Sequence, residues 1–129
     1  MSNEWKFRVW DKTSKEFAGK GFSLTNSGSI LRYNKEVENP DNYILHLFTG
    51  VLDKYNKEIF EGDIVEHTIA ESGELKQSVG IVGYDPTKGM FILNDGGKHP
   101  LGELFSLRKL GNPQENSVLY DLYVKNKGL

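Results

Sequence analysis

The sequence predicts a mainly β chain (β-rich α+β), and three observations carry that expectation. Apolar residues fall in short runs, each cut by clusters of Gly, Asn, Asp, Ser or Pro, the pattern of strands separated by turns. Several runs alternate with period two, as a half-buried strand must. Aromatic residues make up 12% of the chain and there are fourteen glycines, whereas Ala18 and Ala70 are the only alanines, a poor composition for a helical bundle.

The first strand is predicted over Glu4–Trp10, with Trp5, Phe7 and Val9 on one face and Lys6, Arg8 and Trp10 on the other. A polar turn, Asp11–Lys15, leads to a weaker strand over Glu16–Leu24, loosened by Gly19 and Gly21. Thr25-Asn26-Ser27-Gly28 supplies turn chemistry, and Ser29–Asn34 returns to form a hairpin. Lys35–Asn42, with Asn39-Pro40-Asp41, reads as a loop. Tyr43–Thr49 is the next strand, and Ile64–Ile69 the one after the central turns. A polar loop over Ala70–Lys76 precedes strands at Ser78–Tyr84 and Met90–Leu93, joined through Asp85-Pro86-Thr87-Lys88-Gly89. A helical turn is expected near Pro100–Phe105 and a last strand over Ser106–Leu110. From Ser117 the spacing of Val118, Leu119, Leu122 and Tyr123 predicts a short C-terminal helix capped by Asn116 or Ser117. The strand order after Gly62 suits a small SH3-like barrel, with an N-terminal hairpin sheet packed beside it. We read 1–129 as a single domain, with 1–50 and 51–129 as candidate subdomains.

Composition narrows the function classes. With 129 residues the chain can bury a real core. Its formal charge of −2 provides no global field toward nucleic acid or anionic lipid. The absence of cysteine removes disulfides, thiolate nucleophiles and Cys-based zinc sites. No apolar run approaches the roughly 20 residues of a membrane helix, and Met-Ser-Asn-Glu-Trp lacks a signal peptide's basic and apolar regions. A cytoplasmic protein is expected.

The most sharply punctuated stretch is Leu47–Val65, LFTGVLDKYNKEIFEGDIV. Thr49-Gly50 ends an apolar run, Asp53 to Glu58 is a charged turn, and Glu61-Gly62-Asp63 makes a second turn before Ile64-Val65. Thr49, Gly50, Asp53, Asn56, Glu61, Gly62 and Asp63 are therefore taken as its structural motif. This stretch resembles the YopX-like family of small bacteriophage and prophage proteins, in which segments of the form TGL-D-K-NGKEI-EGDIV recur. Phe7-Arg8-Val9-Trp10-Asp11, Gly80-Ile81-Val82, and Gly111-Asn112 with Asn116 are similar to outer segments of the same family. Where the family favours Asn-Gly in the central turn, this chain has Tyr55-Asn56, so Asn56 is expected in the left-handed region. The family has no established biochemical activity, and the resemblance implies a phage or prophage accessory role.

Each candidate for chemistry has an ordinary counterpart. Asp53, Glu58, Glu61 and Asp63 would form a metal site or acid–base pair only if they converged. Otherwise Asp53 and Asp63 cap turns, and Glu58 and Glu61 are solvated. His46, His67 and His99 match no short zinc spacing; His46 and His67 flank the motif on strands able to pair. No G-x-S-x-G elbow exists, and the Gly-Lys segments at Gly19-Lys20-Gly21 and Gly96-Gly97-Lys98 lack Walker spacing. No catalytic residue, cofactor or metal is expected. The strongest candidate binding surface is Lys6, Arg8 and Trp10 with Asp11, since exposed Arg and Trp favour interfaces and stack on bases. The competing reading buries that face, with Arg8 paired to an acid.

The leading expectation is a non-enzymatic accessory protein that binds a host or phage macromolecule, with a protein partner ahead of nucleic acid, no membrane role, and self-association open. Its rivals are a nucleic-acid-binding SH3-like module, a counter-defence protein that sequesters a nucleotide-type molecule, and a metal-dependent hydrolase.

Overall fold

The computed structural model describes residues 6–18, 20–27 and 29–129. Trp5, Gly19 and Gly28 lie outside them. The described elements are β1 (Phe7–Asp11), β2 (Glu16–Ala18), β3 (Phe22–Leu24), β4 (Ile30–Arg32), β5 (Lys35–Glu36), β6 (Tyr43–Leu52), β7 (Glu58–Phe60), β8 (Ile64–Glu71), β9 (Glu74–Asp85), β10 (Met90–Asn94), β11 (Lys98–Pro100), β12 (Arg108–Gly111) and the helix α1 (Ser117–Tyr123). Short 3₁₀ turns sit at Pro40–Asn42, Leu101–Glu103 and Lys125–Lys127.

The chain is mainly β, as its composition and turn spacing predict. One sheet has the order β2-β1-β6-β7, a second β11-β10-β9-β8-β12, and a small third β3-β4-β5. In the second sheet β8, β9, β10 and β11 meander, a 3₁₀ turn follows, and β12 returns to pair with β8. That order is the one expected of an SH3-like barrel. Among the described residues β11 and β12 do not pair, so the sheet is a curled half-barrel rather than a closed one.

Both faces of β8 are covered, which explains its unbroken apolar start. Val65 points into the curl with Ile59, Val82, Leu93, Leu101 and Leu107. Ile64 points the other way, onto Val79 and Val124, against which Leu119, Tyr120 and Tyr123 pack from the C-terminal helix. Ile59 is fully buried, so the central motif supplies part of the barrel core.

Several local readings change. Lys35-Glu36, inside the segment read as a loop, pairs with β4 as β5, and β6 runs through Thr49-Gly50 to Leu52. The segment read as one strand over Glu16–Leu24 is two strands in different sheets. The loop read over Ala70–Lys76 is only Ser72-Gly73, both at positive φ (52° and 80°), a turn whose twist matches a hairpin. Pairing continues to Glu71↔Glu74 because backbone bonds need no apolar side chains, and side chains there face solvent. The helix is present, but Asn116 makes no side-chain capping bond, and its Oδ1 instead accepts from the Asn112 N–H. Val118 and Leu122 are exposed, because packing selects the face of Leu119, Tyr120 and Tyr123.

Candidate functional site

The central motif is a junction between the two large sheets. Asp53 Oδ1 accepts the N–H groups of Tyr55 and Lys57, closing the turn in which Asn56 takes φ 63°, the left-handed conformation expected of it. Its Oδ2 accepts the Lys109 N–H on β12 at 3.0 Å, tying that turn to the barrel. Burial opposes the Asp53 charge, yet the amides of Lys109, Lys57 and Tyr55 hold its carboxyl below the usual value. Thr49 donates its hydroxyl to the Ile59 carbonyl, and Glu61 accepts the Leu47 N–H. Gly50 (φ 83°) and Gly62 (φ 86°) both need the left-handed region. The Gly62 N–H donates to the Val82 carbonyl, and Val82 N–H returns to Asp63.

Asp63 is the centre of this junction and is fully buried. Its Oδ2 accepts the Phe60 N–H at 2.7 Å and faces Lys109 Nζ at 3.2 Å, while its Oδ1 takes Arg8 Nη2 at 2.6 Å. The Arg8 guanidinium and the Lys109 ammonium also lie near Phe60, 4.8 and 5.6 Å from its ring centre. Glu58, by contrast, pairs at the surface with Lys6 at 2.8 Å. The four motif carboxylates thus do not converge on one site. Glu61 is also not solvated as expected, because β6 needs an acceptor for the Leu47 amide at this point.

The expected exposed face of the first strand is a second correction. Trp10 is 8% exposed and packs edge-to-face on Phe17, with ring centres 4.9 Å apart. Arg8 lies between Phe17 and Phe60 and reaches inward to Asp63. Asp11 serves its own turn, accepting from Thr13 and Ser14 amides and Asn42 Nδ2, which together depress its pKa, Asn42 most strongly. Lys6 alone of the three stays at the surface. The Arg8 and Trp10 face of β1 is covered because β2 and β7 bring Phe17 and Phe60 across it, while Val9 is buried on the other face, and one strand's alternation carries no sign of that.

His46 and His67 do not meet. His46 lies on β6, paired with Arg8 on β1, and its Nδ1 accepts the Arg8 Nε–H at 3.2 Å. Burial first, and the Arg8 charge second, push its pKa down to about 4. His67 faces a different set. On β8, two residues from Val65, it points into the curl, fully buried, with Nε2 2.9 Å from Asp95 Oδ2. Ser78, its register partner on β9, donates its hydroxyl to the same oxygen at 2.7 Å. His99 on β11 approaches Asp95 Oδ1 at 2.9 Å, and the Gly97 N–H donates there too. Burial opposes the Asp95 charge, but the donors from His67, Ser78, Gly97 and His99 outweigh it and hold the carboxyl far below its ordinary value. Gly80 permits this arrangement: a Cβ there would collide with the Asn94 carbonyl and the Asp95 amide. Sequence spacing misses this cluster, because residues 67, 78, 95 and 99 are joined only by sheet register.

Beside the junction lies an open cleft of about 490 Å³, lined by Asn56, Lys57, Glu58, Lys109, Asn112 and Glu115 among others. Phe60 also lines it. Among the described residues no helix is long and apolar enough to cross a membrane.

Comparison with known proteins agrees with the fold and the motif. The crystal structure of protein EF1440 from Enterococcus faecalis is similar, with a TM-score of 0.57, 24% identity, and coverage of 92% of this chain and 99% of that one. At that identity the likeness speaks for the fold alone. No curated protein matches the chain. The family model described as YopX protein matches residues 6–120, a span that includes β1, the central motif and the whole half-barrel, and the chain belongs to that family.

Proposed function

We propose that the chain is an accessory protein of phage or prophage origin, working in the bacterial cytoplasm by binding a protein partner rather than by turnover. The observation that supports this reading is the cleft between Asn56 and Glu115. Lys57, Lys109, Glu58 and Glu115 line one open, polar depression together with Phe60. Both signs of charge beside Asn56 and Asn112 suit a polypeptide segment, which carries donors, acceptors and both charges of its own. A phosphate backbone would meet as many carboxylates as cations there, so nucleic acid fits it less well. The motif carboxylates support the same reading, since their oxygens are already held by amides and cations of the fold.

The test is capture from infected cells with tagged wild type and with the charge reversals Lys57→Glu and Glu115→Lys. Both side chains are exposed, but Glu115 also accepts the Nδ2–H of buried Asn112 at 2.8 Å, so melting curves of both variants precede the capture. A protein retained by the wild type and lost in the variants supports the proposal. Equal capture by all three, or recovery of nucleic acid released steeply by salt, contradicts it.

A further inference from the structure

We propose that His67, Asp95 and His99 form a binding site for a first-row divalent transition-metal ion of the Zn²⁺ or Co²⁺ type. One donor atom from each residue lies within 4.8 Å of the others. The His67–Asp95 and His99–Asp95 approaches are both 2.9 Å. Neighbouring ligands at about 2.1 Å from a metal are themselves about 3 to 3.5 Å apart, close to an ordinary hydrogen-bond length. An ion can therefore replace the shared protons with little movement of Asp95. His99 is the side chain that must swing, and at 39% exposure it is free to do so.

The donor set decides the class of ion. Two imidazoles and one carboxylate suit Zn²⁺, Co²⁺, Ni²⁺ or Fe²⁺, whereas Mg²⁺ and Ca²⁺ prefer oxygen-only shells. Strand pairing holds the framework: His67 and Ser78 are register partners on β8 and β9, and His99 is the partner of Leu93 on β10. Ser78 and the Gly97 amide, already bonded to Asp95, would orient that carboxylate from behind. The His99 side faces solvent, which leaves an entry path and room for water as a further ligand.

A second observation marks His67 as more than a core residue. Its Nδ1 is buried and has no hydrogen-bond partner among the described residues, although the ring is fully enclosed. Unpaired buried polar atoms are unfavourable, and an aliphatic side chain at this place in the curl would avoid that cost. What the imidazole adds there is its second nitrogen, aimed at Asp95 beside His99.

The experiment is titration of the metal-free wild type with Co²⁺, read by visible absorption, and with Zn²⁺, read by calorimetry and melting temperature, with Mg²⁺ as the control. The expected result is about one equivalent of ion per chain, a rise in melting temperature with Zn²⁺ but not with Mg²⁺, and uptake that weakens as pH falls and protons compete. His99→Ala, exposed enough to leave the fold intact, and the near-isosteric Asp95→Asn should each lower affinity at least tenfold, since loss of an outer-shell partner alone costs about 10–100-fold. Absence of uptake by the wild type overturns the proposal, as does uptake unchanged in both variants. Neither result bears on the cleft, whose charge reversals leave these three residues untouched.

Discussion

Asp63 is fully buried and Asp95 is partly so, both at strand ends, and their surroundings differ in kind. Asp63 is held by a guanidinium, an ammonium and the amide of Phe60 in its own turn. Asp95 is held by two imidazoles, a hydroxyl and the Gly97 amide. Arg and Lys remain charged across the working pH range and stay in place. Imidazoles exchange protons and bind metals near neutrality. The first carboxylate therefore locks two sheets together, while the second sits where ligands can be traded. The same kind of side chain serves architecture in one place and, on the proposal above, an ion site in the other.

The largest expected effect tests that contrast directly. Asp63→Ala would leave Arg8 facing the interior without its carboxylate and would free the Phe60 amide, a loss of about 3–5 kcal/mol. Asp95→Ala leaves unpaired imidazoles but no stranded permanent charge, and should cost about 1–3 kcal/mol. Urea unfolding of the two variants gives both values. Equal losses would abolish the distinction between a lock and a ligand set.

A second effect separates proton-sensitive from proton-insensitive partners within the junction. His46 has its pKa pushed from 6.5 to about 4 by burial and by Arg8, whose Nε–H occupies its Nδ1. The folded state keeps the ring neutral while the unfolded chain protonates it, so between those values the unfolded state binds more protons. Stability is then full above pH 6.5, falls as pH drops toward 4, and stops falling from this source below 4. The most this group can contribute is about 3 kcal/mol. Asp53, depressed below 3.8, acts lower: its contribution is present above 3.8 and lost as pH falls further. His46→Gln should flatten the upper step and leave the lower one, which urea midpoints at about pH 7, 5 and 3 will show.

Much of the junction is legible in the sequence because its geometry is local. Asp53 bonds amides two and four residues away, Asp63 one three residues back, and Asn56 needs the left-handed region that its turn imposes. Such spacings are written into the chain itself. The barrel's strand order is equally readable, since turns fall between short apolar runs. What lies hidden depends on register and on layers. Arg8 and Trp10 look exposed until Phe17 and Phe60 arrive from other strands, and His67, Asp95 and His99 are unrelated until four strands align. Alternation reports that a strand has two faces, but it does not report what covers each.

A smaller effect probes the geometry of the lock. At Gly62, φ is 86°, and an added Cβ would stand 2.9 Å from His46 Nε2. Gly62→Ala should therefore cost about 1–3 kcal/mol through backbone strain and the displaced ring. Pairing it with His46→Ala removes the steric part and leaves the strain. The double variant should be less destabilised than the sum of the two single ones, by about 0.5 kcal/mol or more. Strict additivity would place the whole effect in the backbone.

The smallest effect concerns Lys6, the one member of the first-strand trio that remains at the surface. Its ammonium pairs with Glu58 at 2.8 Å, the two side chains being 54% and 39% exposed. Exposed pairs of this kind contribute about 0–1 kcal/mol, because water screens the charges and both long side chains lose freedom. Lys6→Ala should thus melt within about 1 kcal/mol of wild type, unlike changes at Arg8 or Trp10, which reach the interior. It also releases Glu58, a wall of the charged cleft, from its internal partner. A folded variant with altered capture would then report on the cleft itself. If Lys6→Ala instead unfolds the chain as Asp63→Ala should, the lock extends to the surface and the division between junction and cleft fails.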